Sequence, residues 1–204
     1  MGSNFPVDMK LDDRQTLLVI MPSSSGMAPI TTMMNLFLIA QSLKKSLLIQ
    51  TNASPGISVG RNMCSEIVKS YFGGDTVRCL LLDTDIMIMN YSEVVKAIQW
   101  ADENNKNIVA IYKHGMPPNL KNVIYHSAEH EANDSYTNEE VDKMENYAPV
   151  EYSGLGFYYG DLPLNYKFHS DDMGEDFYFF KENHLELRLA KNIKLLHVKS
   201  IPLG

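Results

Sequence analysis

Apolar positions along the chain fall into compact runs separated by amphipathic stretches. Thr16–Met21 (TLLVIM), Leu47–Gln50, Val77–Leu82 and Ile108–Tyr112 are short and almost wholly apolar. That is the pattern of strands buried on both faces. Between them, a period near 3.6 predicts helices from Pro29 to about Leu43, from Ile57 to Phe72, and from Glu93 to Glu103, the last capped by Ser92. The expected inward positions are Met33, Leu36, Phe37 and Ala40 on the first helix. On the second they are Val59, Met63, Ile67, Val68 and Tyr71, and on the third Val94, Val95, Ile98 and Trp100. Gly73-Gly74 stop the second helix. Strands alternating with helices in the order βαβαβαβ imply an α/β fold: a parallel sheet with helices on both faces.

The second half is less regular. Residues 114–149 hold no period, carry Glu129, Glu131, Asp134, Glu139, Glu140, Asp142 and Glu145, and include Pro117, Pro118 and Pro149. They read as a long acidic loop, and loops of that length inside a compact domain are commonly functional lids. Beyond it, Glu151–Tyr159 (EYSGLGFYY) is expected as a strand with two glycines, Pro163–Phe168 as an edge hairpin, and residues 170–174 as a turn. Glu175 to about Leu189 is expected as a helix, and Ile193–Val198 as a last strand.

Composition narrows the class. The 204 residues can bury one substantial core. Hydrophobic residues at 45% and charged residues at 21% are ordinary for a globular protein. A net charge of −7 argues against a broad nucleic-acid surface. No apolar run approaches the ~18 residues of a membrane span; the longest, Met33–Ala40, is interrupted by Asn35. The first ten residues lack a secretory pattern, and Met1-Gly2 lacks the context of a myristoylation site. Cys64 and Cys79 are spaced neither as a zinc site nor as a disulfide framework, and Cys79 falls in an apolar strand as a small core residue. An intracellular, soluble protein is expected.

The candidate chemistry starts where the Val77–Leu82 run ends, at Asp83-Thr84-Asp85. Deep in a core, unpaired carboxylates would cost several kcal/mol or more. At the C-terminal end of a strand they face the crevice where α/β sheets bind ligands, and side chains two apart point the same way. Hard oxygen donors there suit Mg²⁺ or Mn²⁺ carrying a phosphate. A solvated turn is the plain alternative. Pro22-Ser23-Ser24-Ser25-Gly26, after the first strand, is a place for a nucleotide to meet the backbone, or simply a loop. Arg61 sits early on its helix, against the macrodipole; a nearby anionic ligand would favour it, and a surface arginine is the plain alternative. Glu175-Asp176 suit a first helical turn on dipole grounds alone. His126 and His130 are four apart but lack the His-Glu-x-x-His order of a zinc protease. His197, at a strand end, reads by itself as a surface residue.

Taken in order, several segments resemble the GT-A fold glycosyltransferases, in particular the inverting, family-two-like group. They are Met21-Pro22, Arg61-Asn62, Leu80–Ile88 (LLLDTDIMI), Gly154-Leu155-Gly156-Phe157, Gly174-Glu175-Asp176-Phe177 and Leu196-His197. The resemblance runs from about Thr16 to Lys199, and in size and layout the chain is also similar to the small glycosyltransferases of archaeal viruses. It implies a single GT-A-like domain over residues 1–204, with a mostly parallel central sheet, helices on both faces and a smaller antiparallel acceptor-side region. Residues 16–113 would bind a nucleotide-sugar donor and residues 114–204 a glycan or protein acceptor. By position, Asp83 and Asp85 resemble the two acids of the DxD motif, ligands of Mn²⁺ or Mg²⁺, with His197 completing the metal or diphosphate site. Pro22, Ser23, Ser24, Arg61, Asp83 and Thr84 would border the nucleotide sugar, and Gly154 and Gly156 the acceptor. Asp176 resembles the catalytic base, with Glu175 beside it. No nucleic-acid partner follows from this, and a viral origin would place the protein in the host cytoplasm. The part before the first strand and the acidic stretch 114–149 match no part of the family pattern. Two rival readings are a sugar-nucleotide nucleotidyltransferase, which usually carries cations in the loop after its first strand, and a non-catalytic binding module.

Overall fold

The computed structural model of the chain describes residues 10–23, 29–54, 56–111, 124–125, 136–169 and 175–198. The first half follows the alternation read from the sequence. β1 (Thr16–Ile20), α1 (Ile30–Leu43), β2 (Ser46–Gln50), α2 (Ile57–Tyr71) and β3 (Thr76–Leu82) come first. β4 (Ile86–Ile88), α3 (Tyr91–Asn104) and β5 (Asn107–Val109) follow. The second half gives β6 (Ile124–Tyr125), α4 (Asn138–Lys143), β7 (Ala148–Val150), β8 (Tyr152–Ser153) and β9 (Phe157–Pro163). α5 (Glu175–Glu182), β10 (Leu187–Leu189) and β11 (Leu195–His197) end the described chain.

Seven strands form one sheet in the order β2-β1-β3-β9-β5-β10-β7. β2, β1 and β3 run parallel to one another, as do β5 and β10; β9 and β7 run antiparallel to their neighbours. Two small antiparallel pairs, β4 with β11 and β6 with β8, stand apart from it. This is the α/β architecture expected: a mostly parallel central sheet with helices on both faces. Alternation along the strands sorts the core into two layers. Leu18, Ile20, Cys79 and Leu81 face α2 and α5, through Cys64, Val68, Phe179 and Phe180. Leu17, Val19, Leu80 and Leu82 face α1 and α3, through Leu36, Ile39, Val94 and Ile98.

Several elements depart from the sequence expectation. The sheet is not parallel throughout, because β9 inserts between β3 and β5; pairing partners are set by the whole fold, not by local pattern. The expected strand 151–159 is a pair of strands, β8 and β9, separated by Gly154, Leu155 and Gly156. The expected edge hairpin at Pro163–Phe168 is instead the end of β9 and the turn after it. The expected helix 175–189 stops at Glu182; His184 takes a left-handed φ of 50°, and Leu187–Leu189 pairs with β5 and β7. The long loop 114–149 contains α4, closed by a full capping box between Thr137 and Glu140, and β7. α3 begins at Tyr91, so Ser92 lies inside it; Asn90 precedes it and binds the Asn192 carbonyl and the Lys194 amide.

The sharpest departure is the facing of α2. Of its expected inward positions Val68 is buried, but the other four are exposed: Val59 44%, Met63 48%, Ile67 38% and Tyr71 45%. The buried side is Ser58, Gly60, Arg61, Cys64, Ser65 and Val68. Small residues let this helix lie close against the loops after β1 and β2. A Cβ on Gly60 would stand 2.7 Å from the Pro22 Cβ and 3.3 Å from the Ser54 Cβ. On α1, likewise, Met33 (37%) and Phe37 (60%) are exposed, while Thr32, Leu36, Ile39 and Ala40 are buried. Among the described residues, no helix is long and apolar enough to cross a membrane.

Candidate functional site

The C-terminal ends of β1, β2 and β3 lie together, and the loops that leave them are joined. Ser23 N–H donates to the Asn52 carbonyl (3.1 Å), and Ser54 N–H donates to the Ser23 carbonyl (3.0 Å). This fixes Pro22 and Ser23 against the first turn of α2, with Gly60 allowing the approach. Ser24, the next residue of that loop, lies outside the described residues, as do His126, His130 and the turn 170–174.

At the end of β3, Asp83 N–H donates to the Gly156 carbonyl (3.2 Å), and Ile86 N–H donates back to the Asp83 carbonyl (3.1 Å). Asp83-Thr84-Asp85 is thus a tight turn between β3 and β4, with Thr84 at its tip. Gly156 supports this turn from below, and Gly154 accepts the Ser153 hydroxyl (3.2 Å) beside it. Both glycines lie on the connection that leads into β9.

Three further elements bring side chains to the turn. Arg61 enters from α2 and is 2% exposed. Its guanidinium donates to Asp83 Oδ1 through Nη2 and to Asp176 Oδ1 through Nη1, each at 3.2 Å. Asp176 comes from the first turn of α5, which Glu175 opens. His197 comes from β11: Val198 N–H donates to the Asp85 carbonyl (2.8 Å), and the His197 Nε2 lies 3.4 Å from Asp85 Oδ2. So Asp83, Asp85, Asp176, Arg61 and His197, widely spaced in the sequence, share one site at the carboxyl edge of the sheet. The Asp83 and Asp176 side chains keep 24% and 33% of their surface exposed, so both remain open to a ligand.

Electrostatics of the site centre on Asp83. Burial pushes its carboxyl up to about 6, the negative charges of Asp176 and Asp85 add to that, and Arg61 opposes it. Asp83, Asp85 and Asp176 outnumber the one guanidinium that acts on Asp83 here. Among the described residues, no three His, Cys, Asp or Glu side chains are already gathered as a complete metal shell. Asp85 and His197 face each other across the turn at 3.4 Å, with Asp83 two residues away.

Two contributors carry no role in the sequence reading. Asn62 clamps the segment that leads to α5: its Nδ2 donates to the Phe168 carbonyl (2.9 Å) and its Oδ1 accepts the Phe168 N–H (2.7 Å). The Phe168 ring in turn lies 5.6 Å below the Arg61 guanidinium. Asn62 was visible in the Arg61-Asn62 motif; nothing local marked Phe168 as its partner.

No protein-family model matches the chain, and no curated protein matches it. Among solved structures it is similar to one described as the crystal structure of apo-UDP-glucose pyrophosphorylase, over 92% of this chain and 81% of that one. With 9% identity and a TM-score of 0.46, that likeness decides nothing about this chain.

Proposed function

We propose that the protein is a glycosyltransferase that moves a sugar from a nucleotide-sugar donor to an acceptor hydroxyl, with inversion at the anomeric carbon. The observation that carries this reading is the convergence at Arg61: one buried guanidinium holds the acid at the end of β3 and the acid at the start of α5, each at 3.2 Å. The β3 acids and His197 form a cation-binding side, while Asp176 approaches from a different element.

Asp85 and His197, with Asp83, would hold Mn²⁺ or Mg²⁺. When bound, the ion would neutralise charge that develops on a departing nucleoside diphosphate. The chain's own residues do the rest. Pro22 and Ser23, pinned to Asn52 and Gly60, give the nucleotide a fixed wall. Thr84, at the tip of the turn, borders the sugar diphosphate. Asp176 takes the proton from the acceptor hydroxyl as its oxygen attacks the anomeric carbon, the bond to the diphosphate oxygen breaking on the opposite side. Arg61 keeps Asp176 oriented and balances its charge. Gly154 and Gly156, on the connection into β9, would border the acceptor, a glycan or a protein.

A thermal-shift screen of nucleotide sugars, with and without Mn²⁺, identifies the donor class, since a ligand that prefers the folded state raises its stability. With that donor, Asp176→Asn is expected to keep donor binding and lose transfer. A fully active Asp176→Asn variant removes it as the base. Release of pyrophosphate from a nucleoside triphosphate and a sugar phosphate would instead make the protein a nucleotidyltransferase.

A further inference from the structure

The outward facing of the α1 and α2 apolar stripes needs a cause. Both helices flank β2, which ends the seven-stranded sheet; among the described residues no strand pairs with its outer edge. β2 reads Ser-Leu-Leu-Ile-Gln and is partly exposed along its length. It carries no charge, proline or bulge, the features that commonly guard a free edge against pairing.

The exposed side chains lie on the flanks turned toward this edge. On α1, Asn35 donates to the Ile88 carbonyl of β4 (2.8 Å), which marks the flank turned to the sheet interior. At ~100° per residue, Ile30, Met33 and Phe37 lie about half a turn round from Asn35. They are 76%, 37% and 60% exposed, with Met34 beside them at 61%. On α2, Asn62 binds Phe168 and Lys69 binds Asn165 (2.6 Å), which again marks the interior flank. Ile67 and Tyr71 lie about 140° and 180° round from Asn62, on the other side, and Met63 lies about 100° round, beside them; they are 38%, 45% and 48% exposed. The edge strand is therefore bordered by apolar side chains on both faces of the sheet.

We propose that the β2 edge is the interface of a two-fold homodimer. β2 of one copy pairs antiparallel with β2 of the other, and the apolar flanks of α1 and α2 close over the seam on the two faces of the joined sheet. A two-fold axis normal to the sheet, midway between the two β2 strands and level with Leu48, produces this arrangement at once. It makes the strands antiparallel, and it sets α1 against the partner's α1 and α2 against the partner's α2, so each apolar flank meets its own copy. No charge on β2 opposes the pairing. The area also suffices. Seven side chains of Ile to Tyr size, 37–76% exposed, present roughly 600 Å² before the β2 edge itself is counted, against ~800 Å² per partner in a standard-size interface.

Sedimentation equilibrium of the full chain at tens of micromolar tests this. The expected mass is twice the 23.1 kDa of one chain. Phe37→Glu and Met63→Glu lie on opposite sheet faces and at exposed positions, so each is expected to keep the helix content seen by circular dichroism. Each should also weaken association at least tenfold. Amide exchange over residues 46–50 should quicken on dilution to the monomer. A wild-type monomer at that concentration overturns the proposal, as does a dimer that neither substitution weakens. Wild-type monomer that binds phosphatidylcholine vesicles, with Phe37→Glu abolishing it, overturns it in favour of a lipid surface.

Discussion

Replacing Arg61 with methionine tests whether the guanidinium organises the site. Methionine keeps much of the apolar stem and its packing, and it deletes the two 3.2 Å charged hydrogen bonds to Asp83 and Asp176. Breaking a fully buried ion pair by removing one partner typically costs ~3–5 kcal/mol. Here the cation is 2% exposed but its two acids are 24% and 33% exposed, so water recovers part of that loss. The acid at Asp83 recovers more. Arg61 is the influence that pulls its carboxyl down, so without it the carboxyl rises further above about 6 and takes up a proton more readily. A loss of about 2–3 kcal/mol is therefore expected. That is a large share of a typical 5–15 kcal/mol of folding stability. The assay is urea unfolding of the protein in EDTA at neutral pH, read as a lower midpoint at unchanged slope. The triple variant Arg61→Met, Asp83→Asn, Asp176→Asn removes all three charges and should recover much of the loss, since a whole buried charge cluster can be replaced at little cost. The reasoning fails if Arg61→Met costs under ~0.5 kcal/mol, the scale of an ordinary surface change. It also fails if the triple variant is no more stable than the single one.

Other consequences are smaller in scope. Asp85→Ala should abolish metal-dependent binding of a nucleoside diphosphate in calorimetry; unchanged binding removes Asp85 and its neighbour His197 as the cation site. Asn62→Ala deletes both hydrogen bonds to the Phe168 backbone, at about 1 kcal/mol each, and should lower the thermal midpoint by several degrees. Burial pushes the Cys64 thiol up to about 11 from 9.0. Between those values the folded chain holds a proton that the unfolded chain has lost, so stability present below pH 9 should fall as pH rises toward 11. Urea midpoints across that range check the sign, and native protein at pH 8 should alkylate Cys64 far more slowly than unfolded protein.

How far the sequence was legible depends on what each residue type can report. The strands β1, β3 and β5 are readable because both their faces are largely buried, which forces apolar runs such as Leu17–Met21 and Cys79–Leu82. The place of β9 between β3 and β5 is not readable, since no residue of Phe157–Pro163 names its partners; only the register, with Leu82 against Phe157 and Val109 against Tyr158, reveals it. The facing of α2 misleads for a physical reason. Periodicity finds an apolar stripe but is silent on which flank the sheet occupies, and here Ser58, Gly60, Cys64 and Ser65 win the inner side by being small. That choice is also what buries Arg61. An arginine in an early helical turn reads as awaiting an anion, and two of the anions beside it are Asp83 and Asp176 of the same chain. The identities of Asp83, Asp85, Asp176 and His197 were legible one by one, through the order of motifs. Their meeting was not, because it depends on how α2 lies against the sheet. If α2 turned its Val59–Met63–Ile67 stripe inward, Arg61 would swing away from the end of β3, and the two acids would lose the cation they share. Site and exposed stripe are thus two consequences of one packing choice, so a substitution that rolls α2 should disturb both together.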